Sequence, residues 1–400
     1  MEESITTIIL IASILLLGLI SSIISRKLKI PNLLLLILLG MGLSHISVNH
    51  QPLIDFPPLF LTSIAVITLA LVVFDSSSKF KFKKFDSLTI SGLKISMLFL
   101  AINLVCMSFL AFYIFNLDSI FLALIFAAVI SGTDPSATLM ILAGAKTKLF
   151  ELLKIEAILN TPLIVLIPFL LVDIIEKVGG RFTVDILSEQ SLPFLQQFVT
   201  GIGTGILIAL IFFRFMKKYY SATLSPLAMI TAALLTYTLS ETLGGNGVLG
   251  VTTAGLVFGN LYHVKHMKTL LKFGEIFSEV LEILVFVLIG TVITLPLSFS
   301  FLFPATILFI VYLFIRLLSV EIAFRKEYSF KEKLYMTLNT PKGIAVAVVV
   351  FTLATKSISG LDLILDMILL FMIYSIVIST VVTHFTKFFT KTEIKVSEKE

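Results

Sequence analysis

Charge is what this sequence has least of. Asp, Glu, Lys and Arg make up 14% of its 400 residues, against 58% hydrophobic, whereas soluble proteins average about 25% charged residues. A water-soluble globule is therefore excluded, and a polytopic membrane protein remains. The single cysteine, Cys106, excludes an internal disulfide and any cysteine metal cluster. His45, His50, His263, His266 and His384 all fall near the ends of apolar segments, with no His-Glu-x-x-His spacing, so an intramembrane zinc protease lacks its ligands. No phosphate loop is present: Gly201-Ile202-Gly203-Thr204-Gly205 sits inside an apolar run and reads as a close-packing face. No cofactor is expected. The N-terminal segment lacks the basic region and small-residue cleavage site of a signal peptide, so Ile5 to Ser25 reads as the first span.

What is present is a series of apolar runs of membrane-spanning length. About thirteen fit, at roughly 5–25, 32–46, 58–75, 88–115, 118–144, 152–174, 195–217, 224–242, 246–262, 274–296, 300–324, 337–357 and 362–386. The net charge of +5 is concentrated in short loops, a topology signal and not a nucleic-acid one. Basic connections alternate with acidic, mixed or nearly uncharged ones. Arg26 to Lys29, Lys79 to Lys84, Lys146 to Lys154, Lys217-Lys218, Lys265 to Lys272, Arg325 to Lys333 and the tail from Lys387 all fall on one side. This predicts an external N-terminus, a cytoplasmic C-terminus and a short cytoplasmic tail over 387–400, which is too short to fold alone.

Two spans are interrupted. In the fifth, Ser131-Gly132-Thr133-Asp134-Pro135-Ser136-Ala137 writes a helix stop and a helix start. Gly132 suits a left-handed helix end, Thr133 or Asp134 can cap the second half-helix, and Pro135 fits a first helical position. In the twelfth, Asn339-Thr340-Pro341-Lys342-Gly343 interrupts another apolar run, although Thr340-Pro341 could equally begin a helix that leaves the cytoplasmic loop. With span seven as a linker, the two breaks occupy the fifth place of two six-span units of opposite orientation. Paired breaks in inverted repeats point to a midplane substrate site. The predicted fold is thus an all-α membrane transporter domain over 1–386, with core spans roughly 88–174 and 300–386 and scaffold spans roughly 5–75 and 195–296.

Few charges lie inside the spans. Asp134 is ~24 Å from the outer end of its span, Glu156 and Lys342 are roughly 6–8 Å inside the cytoplasmic ends of theirs, and Arg316 is ~12 Å inside. Intramembrane charges face the bundle interior and pair, and Glu156 with Arg316 is the expected pair. The alternatives are that Arg316 and Lys342 snorkel to the headgroups and that Glu156 merely favours a helix N-terminus. Glu279 and Glu282 belong either to a pathway, to a dimer contact or to a solvated funnel edge. Asp362 reads as the cap of span thirteen.

These residues carry a resemblance. Thr133-Asp134-Pro135 followed by Glu156-Ala157-Ile158-Leu159-Asn160 is similar to the core of the monovalent cation:proton antiporter superfamily, in its sodium/proton exchanger (NhaP-like) branch. Pro31-Asn32, Leu71 to Asp75, Gly255 to Asn260, Leu288-Ile289-Gly290, Arg316 to Ser319 and Pro341 to Ile344 fall in the same order as similar family segments. The resemblance implies a plasma-membrane protein that exchanges a monovalent cation (Na⁺, Li⁺ or K⁺) for H⁺, with lipid around it and a second copy as homodimer partner. It also implies an aspartate in the broken helix, present as Asp134, and an Asn-Asp pair in span six. The second carboxylate is absent: Asn160 is followed by Thr161, the usual serine after Glu156 is Ala157, and the usual arginine is Lys342.

One carboxylate suffices for exchange, since proton and cation can compete for the same oxygens. Thr133, Asn160 and Thr161 could add oxygen ligands to Asp134. Asp134, Glu156 and Arg316 leave one net negative charge, and Lys342 would neutralise it. The sequence therefore leaves two readings: an antiporter with a reduced site, or a transport fold turned to sensing or to another cargo.

Overall fold

The computed structural model describes residues 2–28, 31–48, 51–52, 56–79, 87–134, 148–178, 184–218, 224–261, 267–292 and 295–389. In chain order the helices are α1 (Glu2–Leu28), α2 (Asn32–Ser44), α3 (Pro58–Lys79), α4 (Ser87–Ile114), α5 (Ile120–Ile130), α6 (Lys148–Val178), α7 (Val184–Lys218) and α8 (Leu224–Thr242). They continue as α9 (Gly247–Leu261), α10 (Met267–Val292), α11 (Phe299–Ala323), α12 (Phe330–Leu338), α13 (Ile344–Ala354), α14 (Leu361–His384) and α15 (Thr386–Phe389). A minimal antiparallel pair, β1 (Ser47–Val48) on β2 (Gln51–Pro52), closes the turn between α2 and α3. The chain is an all-helical membrane protein.

Among the described residues, seven helices are long and apolar enough to cross a bilayer: Thr7–Ser25, Pro58–Lys79, Ser87–Ile114, Lys148–Glu176, Leu195–Met216, Phe299–Ala323 and Leu361–His384. Asn32–Ser44, Ile120–Ile130, Gly247–Leu261 and Ile344–Ala354 are apolar but shorter. Two of these four are halves of the interrupted spans. Their shortness follows from the breaks, because a half-helix of 11 residues reaches only about 16 Å.

α4, the centre of one group, packs on α5, α6 and α11, and α5 also packs on α14. In the other group α9 packs on α3, α7 and α8, while α10 packs on α2. The α2–α10 contact is close because Gly40 lies against the Val287 carbonyl and Gly290 against the Met41 amide, so neither position has room for a Cβ. The two groups meet where α13 packs on α3 and α10 and where α3 packs on α6. The buried face of α13, Val346 to Phe351, is nearly solvent-free, and it joins one continuous apolar core that includes Phe126, Val287 and Phe371. Apolar side chains facing lipid gain nothing from the hydrophobic effect, so this packing is what selects the arrangement.

Local signals explain the ends. Ser329 and Glu332 form a reciprocal capping box at α12, which satisfies two donors at a helix start. Asn339 to Gly343 separate α12, which holds the charged residues before span twelve, from α13, the apolar helix within it. Gly360, at φ 78°, precedes α14, so Asp362 lies in the first turn and is not the cap, contrary to the sequence reading. Of the span-seven glycines, Gly201 and Gly205 lie against Asn246 and Gly250, while Gly203 faces open space.

Candidate functional site

α5 runs from Ser119, whose hydroxyl accepts from the Phe121 amide, to Ser131. Its last turn tightens, with Ser131 and Gly132 donating three residues back to Ala128 and Val129. Gly132 is not left-handed as the sequence suggested; glycine is required there because a Cβ would meet Ile164 and Val346. The chain then leaves the helix, and the Asp134 amide donates to the Pro341 carbonyl at 2.8 Å. This bond joins the two breaks directly. Pro135, with the rest of 135–147, lies outside the described residues.

On the other strand of the crossing, Asn339 to Gly343 leave α12 and enter α13. α14 turns one face toward this segment, since Ser375, Ser379 and Thr383 are spaced four apart. The Ser375 hydroxyl accepts from the Lys342 amide at 3.2 Å, Ser379 donates to Asn339 Oδ1 at 2.5 Å, and Asn339 Nδ2 donates to Thr383 at 3.4 Å. The Lys342 amide freed by the break is thus satisfied from a neighbouring helix, the condition for irregular chain at membrane depth.

The two breaks exchange charge. Lys342, fully buried, donates from Nζ to the Gly132 carbonyl at 2.7 Å, placing an ammonium at the C-terminal end of α5. In return Asp134 abuts Gly343, the N-cap of α13, where any Cβ would overlap the carboxylate. Each charge therefore sits at the half-helix end whose partial charge is opposite to its own. Lys342 also donates to the Tyr312 hydroxyl at 2.5 Å and lies 4.6 Å from that ring's centroid. It does not snorkel.

Glu156 and Arg316 form a buried, two-pronged pair. Nη2 donates to Oε2 at 2.7 Å, and Nη1 meets Oε1 at 2.6 Å in an ionic contact off hydrogen-bond geometry. The Arg316 guanidinium lies 4.7 Å from the Phe99 centroid, a cation–π contact. Tyr312, four residues before Arg316 on α11, continues this wall edge-on to Phe99 and Phe371.

Asn160 donates from Nδ2 to the Ser131 carbonyl at 2.7 Å, which brings α6 against the end of α5. Its Oδ1 is buried without a hydrogen-bond partner, as is Thr133 Oγ1. Thr161 donates its hydroxyl to the Ala157 carbonyl at 2.8 Å and keeps only lone pairs for another role. Asp134 is half-buried. Asp134 and Thr133 thus follow the end of α5, and Asn160 reaches that end from α6. No group of three or more His, Cys, Asp or Glu side chains able to hold a metal occurs among the described residues.

Sequence reasoning missed Tyr312, Asn103 and Phe99. Asn103 donates to the Ala127 carbonyl at 2.8 Å and to Ser131 Oγ at 2.9 Å, steadying the end of α5. A lone asparagine within an apolar run was its only signal. The aromatics looked like the rest of a Phe-rich chain.

Comparisons with known proteins establish the family and the fold. The chain matches the family described as "Sodium/hydrogen exchanger, transmembrane" over residues 11–389. It is 28% identical over 236 residues to the low-affinity Na⁺/H⁺ antiporter NhaS1 of Synechocystis sp., covering 58% of this chain but 42% of that one, so it spans less than half that relative's length. It is 24% identical to the probable Na⁺/H⁺ antiporter 2 of Methanocaldococcus jannaschii, covering 83% of this chain and 81% of that one. Among solved structures, the sodium proton antiporter MjNhaP1 of the same organism superposes with TM-score 0.75 at 21% identity, covering 98% and 100% of the two chains. This likeness defines the fold. The chain belongs to the transmembrane sodium/hydrogen exchanger family and has its antiporter fold.

Proposed function

We propose that this protein is a secondary active transporter that exchanges a monovalent cation for H⁺, with Asp134 as the shared carrier. The observation that carries the reading is the crossing itself, where Asp134 stands at the N-terminus of α13 and Lys342 at the C-terminus of α5. A carboxylate held at a helix N-terminus inside a low-dielectric bundle has two ways to compensate its charge, a proton or a cation, and they compete for the same oxygens. Asn160 Oδ1, Thr133 Oγ1 and Thr161 Oγ1 supply further ligands to the cation. Glu156 and Arg316 neutralise one another and brace α6 against α11, while Lys342 compensates the end of α5. Pro341 and Gly343 keep the crossing open on one segment, as Gly132 does on the other.

Alternating access arises as the core spans, 88–174 and 300–386, rock against a scaffold of 5–75 and 195–296. The protein works as a homodimer in the plasma membrane, with the N-terminus outside and the tail inside. Na⁺ is the first candidate, since the two relatives above are named for it, with K⁺, for which other relatives are named, and Li⁺ next. Proton flux on adding each ion to reconstituted vesicles tests exchange: flux with at least one supports it, and none with all three overturns it.

A second reading has its own observation. Thr161 spends its hydroxyl on Ala157, so the position offers no charge where the resemblance implies an aspartate. In that reading the fold senses ions or carries another cargo. Flux that is absent in the natural sequence and appears in Thr161→Asp would favour it.

A further inference from the structure

Glu282 lies in the middle of α10, fifteen residues from Met267 and ten from Val292, or about 22 and 15 Å along the axis. Leu281, Leu284 and Val285 to Ile289 around it are buried, yet Glu282 keeps partial exposure. That exposure is not to α1 or α2. Ile283 lies against Gly18 of α1, and Val287 and Gly290 lie against Gly40 of α2; Glu282 points about 100° away from Ile283 on the helix. A carboxylate facing lipid at mid-depth costs at least ~2.5–3.5 kcal/mol, so such groups face the interior or a watery cavity.

What it faces can be named. α10 packs on α13, and the N-terminus of α13 is where Asp134 sits. Asp134 is close enough to Glu282 to act on it electrostatically, as is the exposed Glu279 one turn away. A second, independent observation points to a ligand in the same place: Asn160 Oδ1 and Thr133 Oγ1 lack hydrogen-bond partners in side chains that are 1% and 9% exposed.

We propose that Glu282 is a second carboxylate of the cation site, presented by α10 on the side of Asp134, and that it restores the negative charge missing at Thr161. The inference rests on the exchange reading above. With Asp134, Glu156, Arg316 and Lys342 alone the site has no net charge, and a neutral site holds a small cation weakly. Once ionised, Glu282 makes the site net negative and gives the cation carboxylate oxygens from two sides, the donor set a hard ion prefers.

The test is calorimetric titration of the purified full-length protein in detergent with NaCl, LiCl and KCl, against choline chloride. Glu282→Gln is expected to weaken binding of the preferred ion at least tenfold, Glu282→Asp to stay within about threefold, and Glu279→Gln to be unchanged. In vesicles Glu282→Gln should raise the KM for that ion while leaving the maximal rate within a few-fold, a split that mere loss of structure would not produce. If Glu282→Gln does not elute as folded protein, Glu282→Ala and Glu282→Asp supply the same comparison. Binding by Glu282→Gln within twofold of the unmodified protein, with binding lost in Asp134→Asn, overturns the role of Glu282 and leaves the exchange reading standing. Absence of binding by the unmodified protein for all three ions overturns the two-carboxylate site outright, and vesicle flux then decides the exchange reading separately.

Discussion

Glu156 and Arg316 have left water completely, 2% and 0% exposed at the side chain, and each compensates the other's charge. Removing one partner from such a pair strands a buried charge at a cost of about 3–5 kcal/mol, whereas replacing both with apolar groups of similar size is close to neutral. Arg316→Met and Glu156→Leu should each lower the thermal unfolding midpoint in detergent clearly, and the double variant should recover most of that loss. A double variant as unstable as the worse single one would mean that the pair does more than cancel charge. The pair was legible in sequence because charge is so scarce that a carboxylate and a guanidinium at similar depth have few other partners. Lys342 was less legible. Its partners, Gly132 and Tyr312, lie 210 and 30 positions away, and neither a backbone carbonyl nor one more aromatic leaves a local mark.

The two half-helices were announced by their punctuation, since Gly, Pro, Asn and Asp clustered inside an apolar run favour helix ends over helix interiors. What punctuation did not convey is how the breaks meet. The Asp134 amide to Pro341 carbonyl bond and the contact of Gly343 with the Asp134 carboxylate are tertiary, and the left-handed conformation expected at Gly132 gave way to steric need against Ile164 and Val346. Gly343 is the more exacting position. Gly343→Ala must push the Asp134 carboxylate off the end of α13, and misplacing a reacting group by about 1 Å can cost on the order of 100-fold. Cation-driven flux should fall at least tenfold while the protein still inserts and elutes normally from a sizing column. Unchanged flux would mean that the carboxylate does not work from the position seen here.

Across the whole molecule, hydrophobic length and charged loops were enough to predict an all-helical membrane protein, and the family match over residues 11–389 and the MjNhaP1 superposition agree with that fold. The count of spans was less readable. Among the described residues, seven helices meet the length and apolarity of a crossing segment, and four more are short. Interrupted or tilted helices buried among others need neither property in full. The contacts of α13 with α3 and α10 place the crossing at the seam between the two packed groups. At this scale the central claim is that one carboxylate carries both cargoes. It is tested most directly by proton flux out of dye-loaded vesicles on addition of Na⁺, Li⁺ or K⁺, with the unmodified protein and Asp134→Asn reconstituted side by side. The account predicts flux in the first and none in the second; cation-driven flux that survives Asp134→Asn would contradict it.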